Sequence, residues 1–154
     1  MSGASEVLVF DWGTAIVGIL DVDANVYTSY RTPDGMIEGA KRVVFSGGTI
    51  VSFNGDARDL PELFNLLRLQ SVEQVVRGTH VDMLKETSDI RWPPDPGTSS
   101  VNGPGLRATY RYYFGDAMAS PPEGLQDDYE VNNWTDCYQT AALWKKWKRG
   151  ELAP

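Results

Sequence analysis

The sequence predicts an α/β domain built on a mixed sheet, and two patterns carry that prediction. Three strand-like runs, Val7–Phe10, Ala15–Leu20 and Val26–Tyr30, follow one another with only turn residues between them, as in an antiparallel meander. A helical segment then leads into a fourth strand, Thr49–Phe53, and a strand-helix-strand path is the crossover expected of a parallel neighbour.

The first run, Val-Leu-Val-Phe, is apolar throughout and reads as a strand covered on both faces. Asp11 closes it, so a carboxylate is expected at the strand's lip, as a ligand or as a turn residue. Residues 1–5 are small and polar and are expected to be disordered. Asp21–Asn25 supplies the hairpin turn between the second and third strands, and Pro33-Asp34-Gly35 another turn. A helix is expected over Met36–Phe45, with Ile37, Ala40, Val43 and Val44 inward and Gly47-Gly48 ending it.

Beyond the fourth strand, Asp59-Leu60-Pro61-Glu62 has the composition of a helix start, and Leu60, Leu63, Phe64 and Leu67 follow at helical spacing. Further expectations are a short helical piece at 71–77, a strand at Val81–Leu84, a long loop over 86–103 and a helix over Leu106–Phe114 closed by Gly115. The last helix has Asp127 and Glu130 as a capping box, an apolar side of Trp134, Cys137, Tyr138, Ala141 and Trp144, and a basic end at Lys145, Lys146, Lys148 and Arg149.

With 154 residues the chain accommodates one core, so a single domain is expected, with its core over 6–149. One cysteine, Cys137, excludes an internal disulfide and a multi-cysteine metal site. A formal charge of -7 argues against a broad basic surface gripping duplex nucleic acid, while leaving open an enzyme that reaches a strand end through bound cations. No apolar run is long enough for a membrane span and no leader pattern is present, so a cytoplasmic protein without membrane association is expected.

Asp11, Asp59 and Asp136 stand at three comparable places: a strand end, a helix start and the interior of the last helix. Brought together they would suit one or two hard cations, Mg²⁺ or Mn²⁺, and a cation is the physical reason to assemble carboxylates that otherwise repel. Read singly, Asp59 is equally a helix cap, Asp11 a turn residue and Asp136 a solvated helix residue. His80 and Asp82 are one residue apart, so on a strand they share a face, as a catalytic pair, a metal contact or a hydrogen-bonded structural pair. Trp12 and Trp92 are candidates for stacking on a base.

The order of these motifs resembles the DnaQ-like, or DEDD, 3'-5' exonucleases of the ribonuclease H-like superfamily. The most specific stretch is Thr49–Leu63, a strand ending in Asn54-Gly55 followed by Asp59-Leu60-Pro61, which is similar to that family's second motif. His80–Leu84 resembles the following strand, Gly105–Gly115 the helix before the final motif, and Asn133-Trp134-Thr135-Asp136 with Thr140 the third motif. The resemblance implies a three-layer ribonuclease H-like fold, with Asp11, Asp59 and Asp136 as metal ligands and His80 as a further catalytic candidate. It also implies Trp12, Thr14, Asn54 and Asn133 as substrate contacts, Mg²⁺ or Mn²⁺ as cofactor, and a single-stranded DNA or RNA end or short oligonucleotide as substrate. A homodimer or a protein partner fits as well.

Two positions depart from the pattern. Gly13 stands where the first motif carries its second carboxylate, and Asn132 stands at the general-base position, where an amide cannot abstract a proton. His80 or Glu130 could replace that base in space. The resemblance therefore implies either an exonuclease, weak or full, or a ribonuclease H-type interaction or nucleic-acid-binding module without catalysis. Asp11-x-Gly13-Thr14 also resembles the first phosphate-binding turn of actin-like ATPases and YqgF-type resolvases, which keeps a resolvase-like nuclease as a minor reading.

Overall fold

The computed structural model describes residues 6–87 and 105–152. Trp92 and all but the first two residues of the expected loop over 86–103 lie outside the described residues, as do residues 1–5.

Five strands form one sheet: β1 (Val7–Gly13), β2 (Ile16–Asp21), β3 (Val26–Tyr30), β4 (Thr49–Ser52) and β5 (Thr79–Asp82), in spatial order β3-β2-β1-β4-β5. The first three are the antiparallel meander, and β4 and β5 are each parallel to the strand beside them. Among the described residues, five helices surround the sheet: α1 (Pro33–Val44), α2 (Asp59–Leu66), the single turn α3 (Met83–Glu86), α4 (Leu106–Phe114) and α5 (Asp128–Lys148). None is long and apolar enough to cross a membrane.

Alternation along β1 divides the core. Leu8 and Phe10 turn toward α1 and α2, where they meet Val17, Ile19 and Ile50 of the sheet and Ala40, Val43, Leu60 and Leu63 of the helices. Val9 turns the other way, with Leu20, Val51, Met83, Cys137, Ala141 and Leu143. Asp11, two residues after Val9, shares its face and is directed toward α5.

The lip that exposes Asp11 is made by unequal strand lengths. β1 pairs with β4 only at Val7, Leu8 and Val9, but with β2 as far as Gly13. Asp11 therefore lies inside β1, opposite Gly18, beyond the point where β4 has left.

Several boundaries differ from the sequence reading. The first helix starts at Pro33, because the Thr32 side chain accepts from the Gly35 N–H and a proline is tolerated in the first turn. What reads as a Pro-Asp-Gly turn is thus a capped helix start. Asp59 is not a cap but the first residue of α2, and it is buried.

The 71–77 segment forms only the short 3-10 turn Ser71–Glu73. β5 ends at Asp82 rather than continuing to Leu84, because the Asp82 carboxylate caps α3 through Leu84 N–H. At α5 the Asp127 side chain accepts from Glu130 N–H, while the Glu130 carboxylate takes Gln126 N–H, one residue earlier than a closed capping box requires.

Candidate active site: three carboxylates in one cavity

A cavity of about 470 Å³ opens beside the far end of β1, and Asp11, Asp59 and Asp136 all line it. Asp11 comes from β1, Asp59 from the first turn of α2 and Asp136 from the middle of α5. Trp12, Phe53 and Tyr129 add aromatic wall, and Asn54, Asn132 and Asn133 add amides. One cation, Arg58, is part of the lining, and a second, Arg107, pairs with Asp136 from outside it.

The turn that presents Asp59 is built by its neighbours. Asn54 adopts a left-handed φ of 66°, a conformation asparagine tolerates better than most residues. Its N–H and that of Asp56 both donate to the Asp82 carboxylate, at 2.7 and 3.2 Å, so one buried aspartate gathers the loop between β4 and α2. The Asp59 carboxylate then accepts from Trp12 N–H at 3.4 Å, which ties α2 to the end of β1.

Asp11 is held from the opposite layer. Asn133 of α5 donates its amide to both the Asp11 main-chain carbonyl at 3.2 Å and the Asp11 carboxylate at 3.1 Å. The Asn133 side-chain oxygen in turn accepts from the Tyr27 hydroxyl at 2.6 Å. Gly18 allows this approach, since a Cβ there would lie 1.6 Å from that same oxygen. Asn133, Asp136 and Thr140 thus face inward, and Asp136 stands on the cavity wall rather than as a solvated helix residue.

Burial and mutual repulsion set the charge state. Asp11 is pushed up to about 9, first by burial and then by the charges of Asp136 and Asp59, with a hydrogen bond to Asp136 that keeps the proton on Asp11. Asp59 is pushed up to about 7, again mainly by burial. Asp136 is also raised by burial, with Arg107 and Asp11 opposing the shift. At neutral pH the cavity thus avoids the full negative charge that its composition implies.

His80 and Thr14 are placed elsewhere. The His80 ring lies against Phe10 and links Ser52 Oγ, at 2.8 Å from Nε2, to Asp56 Oδ1, at 3.2 Å from Nδ1. A carboxylate can only accept, so Nδ1 carries the proton and Nε2 accepts from the Ser52 hydroxyl. Burial lowers the His80 pKa and keeps the ring neutral. Ser52 is fully buried and itself accepts from Gly55 N–H, so this Ser-His-Asp chain organises the turn and offers no open nucleophile. Thr14 is exposed in the β1–β2 turn, and neither it nor His80 is on the cavity wall.

The two departures from the motif pattern also have locations. A Cβ on Gly13 would lie 2.8 Å from the Tyr129 hydroxyl and 2.9 Å from Ile16 Cγ2, so Tyr129 and Ile16 fill the space a second carboxylate would need. Asn132 is exposed on the cavity wall. Glu130 is buried and engaged with Ser29 and Gln126, and it is not part of the cavity wall.

Three acidic oxygen donors on one wall are chemically suited to a hard divalent cation. Among the described residues, however, no group of three or more His, Cys, Asp or Glu side chains is arranged to hold a metal ion as it stands. Asp136 is engaged by Arg107 at 3.0 Å, and Asp11 by Asn133 and Asp136. No protein-family model matches the chain, and no curated protein matches it.

Proposed function

We propose that this protein is a ribonuclease H-like hydrolase that removes nucleotides from the 3' end of single-stranded DNA or RNA, using a divalent cation held by Asp11, Asp59 and Asp136. One observation carries the reading: three aspartates from distant parts of the chain line a single cavity at the end of the longest strand. The strand order, with an antiparallel meander continued by two parallel strands, agrees with it.

Assembling three carboxylates, Asp59 buried and Asp11 and Asp136 half-buried, costs stability through desolvation and repulsion, and a bound cation would offset that cost. Mg²⁺ or Mn²⁺ held by these residues would supply an acidified water and neutralise charge developing on the phosphate oxygens. The chain's own residues do the rest. Asn133 orients Asp11, the Trp12 main chain orients Asp59, and the aromatic walls Trp12, Phe53 and Tyr129 give a terminal base surfaces to stack on. Arg58 on the cavity wall, and Arg107 paired with Asp136, are the donors available to phosphate oxygens.

A second reading is favoured by Gly13 and Asn132, which leave the cavity without a fourth carboxylate or a base at those positions: the same pocket would bind a strand end without cutting it. End-labelled single-stranded DNA and RNA incubated with Mn²⁺ or Mg²⁺ separates the two. The native protein is expected to shorten the strand stepwise from its 3' end. Asp59→Ala should lose more than the roughly 10–100-fold that removal of an outer-shell partner costs. Intact strands with both proteins, each folded by circular dichroism, would leave only the binding module.

A further inference from the structure

Arg107 lies in the first turn of α4 and sends its guanidinium to Asp136, with Nη2 at 3.0 Å from Oδ1. Its side chain is 51% exposed, so it reaches in from the rim and is not locked by packing. The helix itself is anchored behind it, through buried Thr109 and Tyr110. A mobile cationic head on a fixed base can change partners at little cost.

In this state Arg107 neutralises one of the three carboxylates that the proposed function assigns to a divalent ion. We propose that Arg107 is the cavity's resident counter-ion, that it exchanges with the divalent cation at Asp136, and that once released it grips a phosphate of the substrate. The inference rests on the proposed metal-dependent reading of this cavity. It accounts for three carboxylates sharing one wall while none of them is grouped to enclose a cation: the place beside Asp136 is taken by the chain's own charge. Because a guanidinium binds carboxylate and phosphate by the same forked geometry, one side chain serves both states.

The exchange predicts effects of opposite sign from a single substitution. Isothermal titration with Mn²⁺ alone should show Arg107→Gln binding the ion about fivefold more tightly than the native protein, the effect expected of removing one half-exposed ion pair. Titration with thymidine 5'-monophosphate in saturating Mn²⁺ should show the same variant binding about fivefold or more weakly, since a charge-assisted hydrogen bond to phosphate is lost. Arg111→Gln removes an equal charge from the same helix, where Arg111 faces Asp116 away from the cavity, and should change neither titration.

Mn²⁺ binding that is unchanged or weakened by Arg107→Gln overturns the exchange, as does nucleotide binding left intact, or an equal effect from Arg111→Gln. If the native protein binds Mn²⁺ saturably and Asp59→Asn abolishes it, such a result removes the exchange and leaves the metal reading standing. No saturable Mn²⁺ binding by either the native protein or Arg107→Gln overturns both.

Discussion

Gly18→Ala is expected to destabilise the protein by about 3 kcal/mol or more in urea unfolding, a large effect for one added methyl group. The new Cβ would meet Asn133 Oδ1 at 1.6 Å and Cγ at 2.6 Å, separations no side chain sustains. Asn133 cannot swing aside cheaply, because it links the Tyr27 hydroxyl to the Asp11 carbonyl and carboxylate. Nor can the strand yield, since Gly18 is paired with Asp11 on one side and Ser29 on the other, in the middle of the meander. Overpacking of this kind costs about 1–3 kcal/mol, and each buried polar group left unpaired adds a further ~1–3 kcal/mol.

The cause can be isolated by combination. Asn133→Ala alone should also destabilise, by stranding Tyr27 and Asp11. In the Gly18→Ala background, however, it removes the clash, so the double variant should lose less than the sum of the singles. Strict additivity would mean that the clash is not what Gly18 avoids.

In the absence of divalent ions, stability is expected to fall as pH rises from about 4 to 9. The unfolded chain releases the protons of Asp11 and Asp59 near 3.8, whereas the folded protein holds them until about 9 and about 7. Between those limits the native state binds more protons, so each group's favourable contribution is complete below pH 4 and is lost as pH passes through its folded value. Asp127 and His80 act the other way: the Asp127 pKa is lowered by the Glu130 N–H and Arg31, but its window lies below the same starting point, whereas the His80 pKa is lowered by burial and its window, ending at 6.5, offsets part of the fall.

Asp11→Asn should flatten the slope and, at pH 8, raise stability by on the order of 2 kcal/mol. An amide can accept from Asn133 and donate toward Asp136, as the protonated acid does, without ever carrying charge. Thermal melts of both proteins across this pH range check the expectation. A native protein that gains stability from pH 5 to 8 would contradict it.

The sheet was legible because its signals are local. Short turns between strand-like runs made the meander, and a strand-helix-strand path made the parallel neighbour. The three aspartates could be related to one another for the same reason, since each sits at or near an element whose place in the sheet could be anticipated. Helix starts read less well where one side chain decides them: Thr32 turns Pro33-Asp34-Gly35 into a helix, and Asp82 ends β5 by capping α3.

Arg58 and Tyr129 were missed in the cavity, and Arg107 was missed beside Asp136. Arg107 and Arg58 look like ordinary exposed charges in the sequence, and only the docking of α4 and the turn before α2 brings one to Asp136 and the other to the cavity wall. The polar face of α5 could be suspected from Asn133, Asp136 and Thr140 at helical spacing, but not its hydrogen-bond partners, since Asn133 is buried by its bonds to Tyr27 and Asp11. Gly18 offered no signal of its own; its value appears only once a second layer presses on it.

In the proposed function Asp11, Asp59 and Asp136 together make one cation site. Thermal denaturation at pH 8 with increasing Mn²⁺ tests it most directly, because an ion that binds only the folded state raises stability by about 2.7 kcal/mol at one hundred times its dissociation constant. The native melting temperature should climb with Mn²⁺ concentration, and Asp11→Asn, Asp59→Asn and Asp136→Asn should each abolish most of the rise. A native protein indifferent to Mn²⁺, or three variants that respond as the native protein does, would contradict it.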